Sequence, residues 1–159
     1  MIAPDAPESR KHMIVIPPCH FEDPNTLCGT TIARIEEALE VSRRLDPAKA
    51  WYVPLGGAVP YYKGSPPLGE LEAHKLTERG IQPDRIIIQR EGCGTFAEAR
   101  DAGRRIEREC PGRCTIHLVS SDWWLTSGEP VWRNIMHFAR LDFVPVLGTG
   151  GRKTRRAYA

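Results

Sequence analysis

The chain has 159 residues, of which 41% are hydrophobic and 26% charged, with a formal net charge of +2. That is one ordinary domain with room for a real core, and the composition excludes a disordered chain. The cationic excess lies in residues 150–159, which hold Arg152, Lys153, Arg155 and Arg156 and no acid, so residues 1–149 lack the basic face of a nucleic-acid binder; no apolar run is long enough to cross a bilayer.

Residues 1–12 carry Asp5 and Glu8 and no apolar stretch, which does not read as a signal peptide, so a cytoplasmic location is expected. The first apolar run, residues 13–17, predicts a strand. Residues 30–45 follow with Ile32, Ile35, Leu39 and Ser42 at helical spacing, stopped by Asp46-Pro47. Residues 50–55 read as the second strand, ended by Gly56-Gly57. A second helix spans 66–79, with Ser65 as N-cap and Gly80 as terminator. Residues 85–89 are a β-branched run and the third strand. Residues 95–109 are the clearest helix, with Phe96, Ala99, Gly103, Ile106 and Cys110 on one stripe. A fourth strand over 115–120, a helix over 129–139 and a fifth strand over 143–147 complete the pattern.

Strands alternating with helices of this length imply βαβ units and a doubly covered parallel sheet. The expected architecture is a three-layer, Rossmann-like α/β domain over residues 1–149. It has five mostly parallel strands in the order 3-2-1-4-5, followed by a basic tail over 150–159. Pro145 cannot donate to a ladder, which puts the fifth strand at an edge.

In such sheets ligands bind at the carboxyl ends of the strands, near the switch in strand order. The segments there are Pro17-Pro18-Cys19-His20, Gly56-Gly57, Glu91-Gly92-Cys93-Gly94-Thr95 and Ser120-Ser121-Asp122, small or polar throughout. The opposite ends are plain Asp46-Pro47, Gln82-Pro83 and Pro111-Gly112 linkers. Neither a Walker loop nor a G-x-G-x-x-G fingerprint is present. Arg34, early in the first helix, is placed to clamp an anion. Glu91, at a strand end, is a candidate general base. Thr95 and Glu98 fit a T-x-x-E capping box, with a functional reading beside it. His20 is the histidine of a site loop, and Ser121 and Asp122 can hydrogen-bond a ligand. Glu72 on the second helix reads first as a surface residue. The long loop 57–65, with Tyr61, Tyr62 and Lys63 between glycines, reads as a lid, or else as a surface loop or dimer contact.

Five cysteines without a secretion signal argue for reduced thiols. Their spacing matches no common zinc pattern, and no metal ligands are assigned. The alternative is a thiolate–imidazole cluster of Cys19, His20 and Cys93 with Cys28.

The ordered constellation Arg34, Gly56-Gly57, Glu72-Ala73, Gly80-Ile81-Gln82-Pro83, Glu91, Gly94-Thr95-Phe96-Ala97-Glu98-Ala99, Ser120-Ser121 and Trp123-Trp124 resembles the YdcF/SanA/ElyC family of Rossmann-like domains, from about residue 13 to 147. The resemblance implies a nucleotide or S-adenosylmethionine-type ligand. It adds weight to Arg34, Glu72, Glu91, Thr95 and Glu98 as site residues. In place of the family's glycine-rich first turn stands Pro17-Pro18-Cys19-His20, and both asparagines of its Asn-Thr-x-x-Glu-Asn element are absent.

The resulting expectation is a small-molecule site, enzymatic as a transferase or hydrolase, for a phosphorylated or nucleotide-like ligand. Glu91, Glu98 and His20 are its catalytic candidates. Arg34, Gly56, Gly57, Glu72, Thr95, Ser121, Asp122, Tyr62 and Lys63 are its binding candidates. The partners expected are a small molecule and a second copy of the chain, without nucleic acid or membrane. The rival expectation is a non-catalytic scaffold that keeps the fold.

Overall fold

A computed structural model describes residues 10–58, 63–111 and 114–147. Strand β1 (Lys11–Ile16) is followed by a small antiparallel hairpin, β2 (Phe21–Asp23) and β3 (Thr26–Leu27), turned at Asn25 with φ +66°. Then come α1 (Gly29–Arg43), β4 (Ala50–Pro54), α2 (Leu68–Glu78), α3 (Thr95–Glu109), β5 (Cys114–Ser121), α4 (Asp122–Ile135) and β6 (Arg140–Val146). The main sheet is parallel in the order β4-β1-β5-β6. Among the described residues no helix is long and apolar enough to cross a membrane.

The alternation of β1 explains the three layers. Met13 and Val15 face one cluster with Ile116, Leu118, Ile106 of α3 and Trp132 of α4. Ile14 and Ile16 face the other with Val119, Ile35 and Leu39 of α1 and Leu68 and Leu76 of α2. Strands covered on both faces need no polar alternation, and all of β5 is buried.

Two expectations are corrected. The sheet has four strands, because the segment expected as a further one, residues 85–89, keeps a single parallel bridge, Tyr52 to Ile86. It still runs along β4, with Ile87 N–H donating to Tyr52 O at 2.8 Å and Gln89 N–H to Pro54 O at 3.0 Å. Its isoleucines are only half-buried, so little apolar area drives a full ladder there. The last helix starts at Asp122, well before residue 129. Gly128 sits inside the helix with the Trp124 ring against it; an added Cβ would stand 2.6 Å from that ring. The hairpin β2–β3 falls in a stretch to which the sequence pattern assigns no element, since two- and three-residue strands carry no usable periodicity.

Pro145 lies in β6, at the sheet edge, opposite Ser120.

Candidate functional site at the carboxyl edge of the sheet

The chain leaves β1 outward to β4, and later returns to the other side of β1 with β5. The crevice between the ends of β1 and β5 is therefore the topological switch point. Arg34 spans it. Its Nη1 donates to Pro17 O at 2.7 Å, and its Nε and Nη2 donate to Ser121 Oγ at 3.2 and 3.0 Å. The side chain is fully buried, with the guanidinium carbon 5.9 Å from the centre of the Trp123 ring.

Two carboxyl groups face this region. Glu72 of α2 is completely buried, and neither of its oxygens has a hydrogen-bond partner. Burial pushes its pKa well above the usual carboxylate range; the Arg34 charge opposes that shift, and Glu98 and Cys28 add to it. Glu98 of α3 is raised to about 7 by burial, against a stabilising hydrogen bond from the Gly56 N–H. Ser120 Oγ and Asp122 Oδ1, at the end of β5 and the start of α4, are likewise buried without a partner.

That use of Glu98 corrects the capping reading. The N-cap of α3 is Gly94, at φ +90°, and no side chain caps the helix; Thr95 is its first residue. The Gly56-Gly57 pair serves the chain's own packing. A Cβ on Gly57 would stand 1.8 Å from Gln89 O, and the Gly57 N–H donates to Gln89 Oε1 at 3.0 Å. Ser65 does not cap α2, whose N-cap is Pro67; its hydroxyl instead accepts from Asn25 N–H at 3.1 Å.

Glu91 is exposed on the loop before α3, where its N–H and that of Arg90 donate to the buried Asp101 at 3.0 and 3.1 Å. Lys63 is exposed, and Tyr61 and Tyr62 lie outside the described residues. Phe96, expected on the core stripe of α3, is 56% exposed.

Sulfur chemistry converges at the same edge. The hairpin brings Cys28 back beside Cys19 and His20, with Cys28 N–H donating to His20 O at 3.2 Å. Cys19 Sγ lies 3.1 Å from His20 Nδ1. Cys28 is the N-cap of α1, its sulfur accepting from Thr31 N–H at 3.5 Å. A hydrogen bond from Cys19 brings the Cys28 pKa down to about 4, against burial and with help from Thr31 and His20. That same bond, together with burial, pushes Cys19 up.

A second polar group sits at the amino-terminal edge. His12 Nδ1 is 2.9 Å from His117 Nε2, and His117 Nδ1 is 2.8 Å from Asp142 Oδ2. These residues line a cavity of about 320 Å³ with Arg10, Thr115 and Arg140. The contact between His12 in β1 and His117 in β5 is set by the β1–β5 register.

No family model, no curated protein and no solved structure matches the chain.

Proposed function

We propose that the chain binds a phosphorylated or nucleotide-like small molecule at the carboxyl edge of the sheet and acts on it as a transferase or hydrolase. The observation that carries this reading is the set of buried, unpartnered polar groups around the switch point: Glu72, Ser120 and Asp122. Burying such groups without partners costs about 1–3 kcal/mol each in proteins, a cost that a ligand supplying hydrogen bonds would offset. A neutral Glu72 carboxyl presents one donor and one acceptor side by side, which matches the edge of a nucleobase or an amide. Arg34 supplies the compensating charge for an anionic group. Glu98, titrating near neutrality, is suited to carry the proton. The family resemblance adds S-adenosylmethionine to the ligands worth testing.

The test is a thermal-shift panel of inorganic phosphate, nucleotides, nucleotide sugars and S-adenosylmethionine, followed by calorimetric titration of any hit. A hit should weaken at least tenfold in Glu72→Met, because a thioether supplies no donor and only a weak acceptor in place of the neutral acid's pair. A panel that leaves the melting temperature unmoved overturns the reading.

A scaffold without catalysis is the second reading, and one observation favours it: the hydrogen bonds of Arg34 to Pro17 and Ser121 tie the fold to itself. On that reading Arg34→Met destabilises the chain and no ligand in the panel shifts it.

A further inference from the structure

We propose that Cys19, His20 and Cys28 form a zinc site with two thiolate ligands, one imidazole and one open position. The site stands independently of the ligand proposed above. The ligand atoms of the three residues all lie within 4.8 Å of one another. Ligand atoms around a tetrahedral zinc sit roughly 3.3–3.8 Å apart, given bond lengths of about 2.0–2.3 Å. The Cys19 Sγ to His20 Nδ1 distance of 3.1 Å falls a few tenths of an ångström short of that spacing. The site therefore closes with small side-chain adjustments.

The chain around the cluster is built to hold it. Cys19 and His20 leave β1, and Cys28 enters α1. The hairpin β2–β3 between them folds back so that the Cys28 N–H meets His20 O. Thr31 connects the two arms. Its hydroxyl accepts from Cys19 N–H at 2.9 Å and lies 3.3 Å from Cys28 Sγ, and its own N–H donates to that sulfur. Such outer contacts orient ligands and favour the anionic sulfur a metal requires. Both cysteines are buried and His20 is exposed, so the fourth position opens toward solvent on the imidazole side. Three protein ligands with a free position is the pattern of zinc that activates water or polarises a substrate oxygen. Two sulfurs and an imidazole suit zinc and exclude magnesium and calcium, which take oxygen ligands. Cys93 is exposed and does not join the cluster. Of the four residues expected to converge, Cys19, His20 and Cys28 do so and Cys93 stays apart.

The experiment uses untagged full-length chain, reduced and stripped with a chelator, then titrated with zinc against a chromophoric competitor and separately with cobalt(II). The expected result is one equivalent of metal per chain and an intense thiolate-to-cobalt charge-transfer band. The band should be lost in Cys28→Ser, and zinc affinity should fall at least tenfold in His20→Ala. His20 is exposed, so that variant keeps its helical circular-dichroism signal whatever becomes of Cys28→Ser. Cys93→Ser should bind as the parent does. Binding below about 0.2 equivalents, or binding equal in parent and His20→Ala, overturns the proposal. So does a reduced chain that forms a Cys19–Cys28 disulfide on air oxidation but takes up no metal.

Discussion

Glu72 shows what a single side chain can signal. A carboxyl with no partner in a packed interior is a cost the fold carries, and its removal reports on its use. Glu72→Met should stabilise the chain by about 1–2 kcal/mol, since an apolar side chain of similar volume suits an unpartnered site. Calorimetry would read this as a rise of about 2–4 °C in Tm for each kcal/mol. The same variant should lose its response to any ligand of the parent, and a destabilised variant would mean that Glu72 is needed by the fold. Glu98 makes a prediction about pH. Its folded pKa of about 7 lies above the ordinary 4.5, so its stabilising contribution is full below 4.5 and is lost as pH rises through about 7. Between about pH 5 and 8 the parent should lose on the order of 2 kcal/mol relative to Glu98→Gln, read from urea midpoints. Parallel profiles would remove Glu98 as the proton carrier. The place of Arg34 near the strand ends was legible from its position early in the first helix, but its burial was not, because a solvated helix face fits the same position. The burial of Glu72 was not, because Leu-Glu-Ala on a helix looks the same at the surface.

Among the elements, the connection from residue 89 to α3 is fixed by glycines in left-handed conformation. Gly92 has φ +84°, and a Cβ there would stand 2.8 Å from Ala97, backbone oxygen included; Gly94 has φ +90° with open space around it. Gly92→Ala should therefore cost about 3 kcal/mol or more, combining strain and clash, and Gly94→Ala about 1–2 kcal/mol from strain alone. Thr95→Ala should cost less than about 0.5 kcal/mol, because Thr95 caps nothing. Equilibrium unfolding of the three variants checks the order. The bounds of α3 were readable to the residue from its apolar stripe and the Pro-Gly break, whereas its cap and the place of Phe96 were not. The T-x-x-E spacing predicts a capping box wherever the chain enters extended, but here a glycine at positive φ turns the chain and frees Glu98 for Gly56. The start of α4 was missed because Ser-Gly near Trp123-Trp124 resembles a loop, and a ring packed on a glycine leaves no trace in local sequence.

At the scale of the molecule, alternation of strands and helices gave the layers and the central place of β1, since buried β-branched runs between amphipathic helices allow few other solutions. The polar asymmetry between the two ends of the strands pointed to the edge where Arg34, Glu72 and Glu98 gather. The pairing of His12 with His117, and of Cys28 with Cys19, lay beyond sequence reading because register and a miniature hairpin decide them. The strand order also has a consequence for synthesis on the ribosome. Residues 12–16 of β1 can pair with β4 early, but the opposite edge of β1 waits for β5, a partner about a hundred residues downstream. Until then a nascent chain presents Met13, Ile14, Val15 and Ile16 along an open backbone edge, the kind of template that recruits foreign strands. A fragment stopped before Cys114 should accordingly sediment as aggregate, while one that extends through Leu147 remains dispersed. The centre of the finished sheet is thus the most exposed surface of the unfinished one, and chaperone demand should peak while the middle third of the chain is being made.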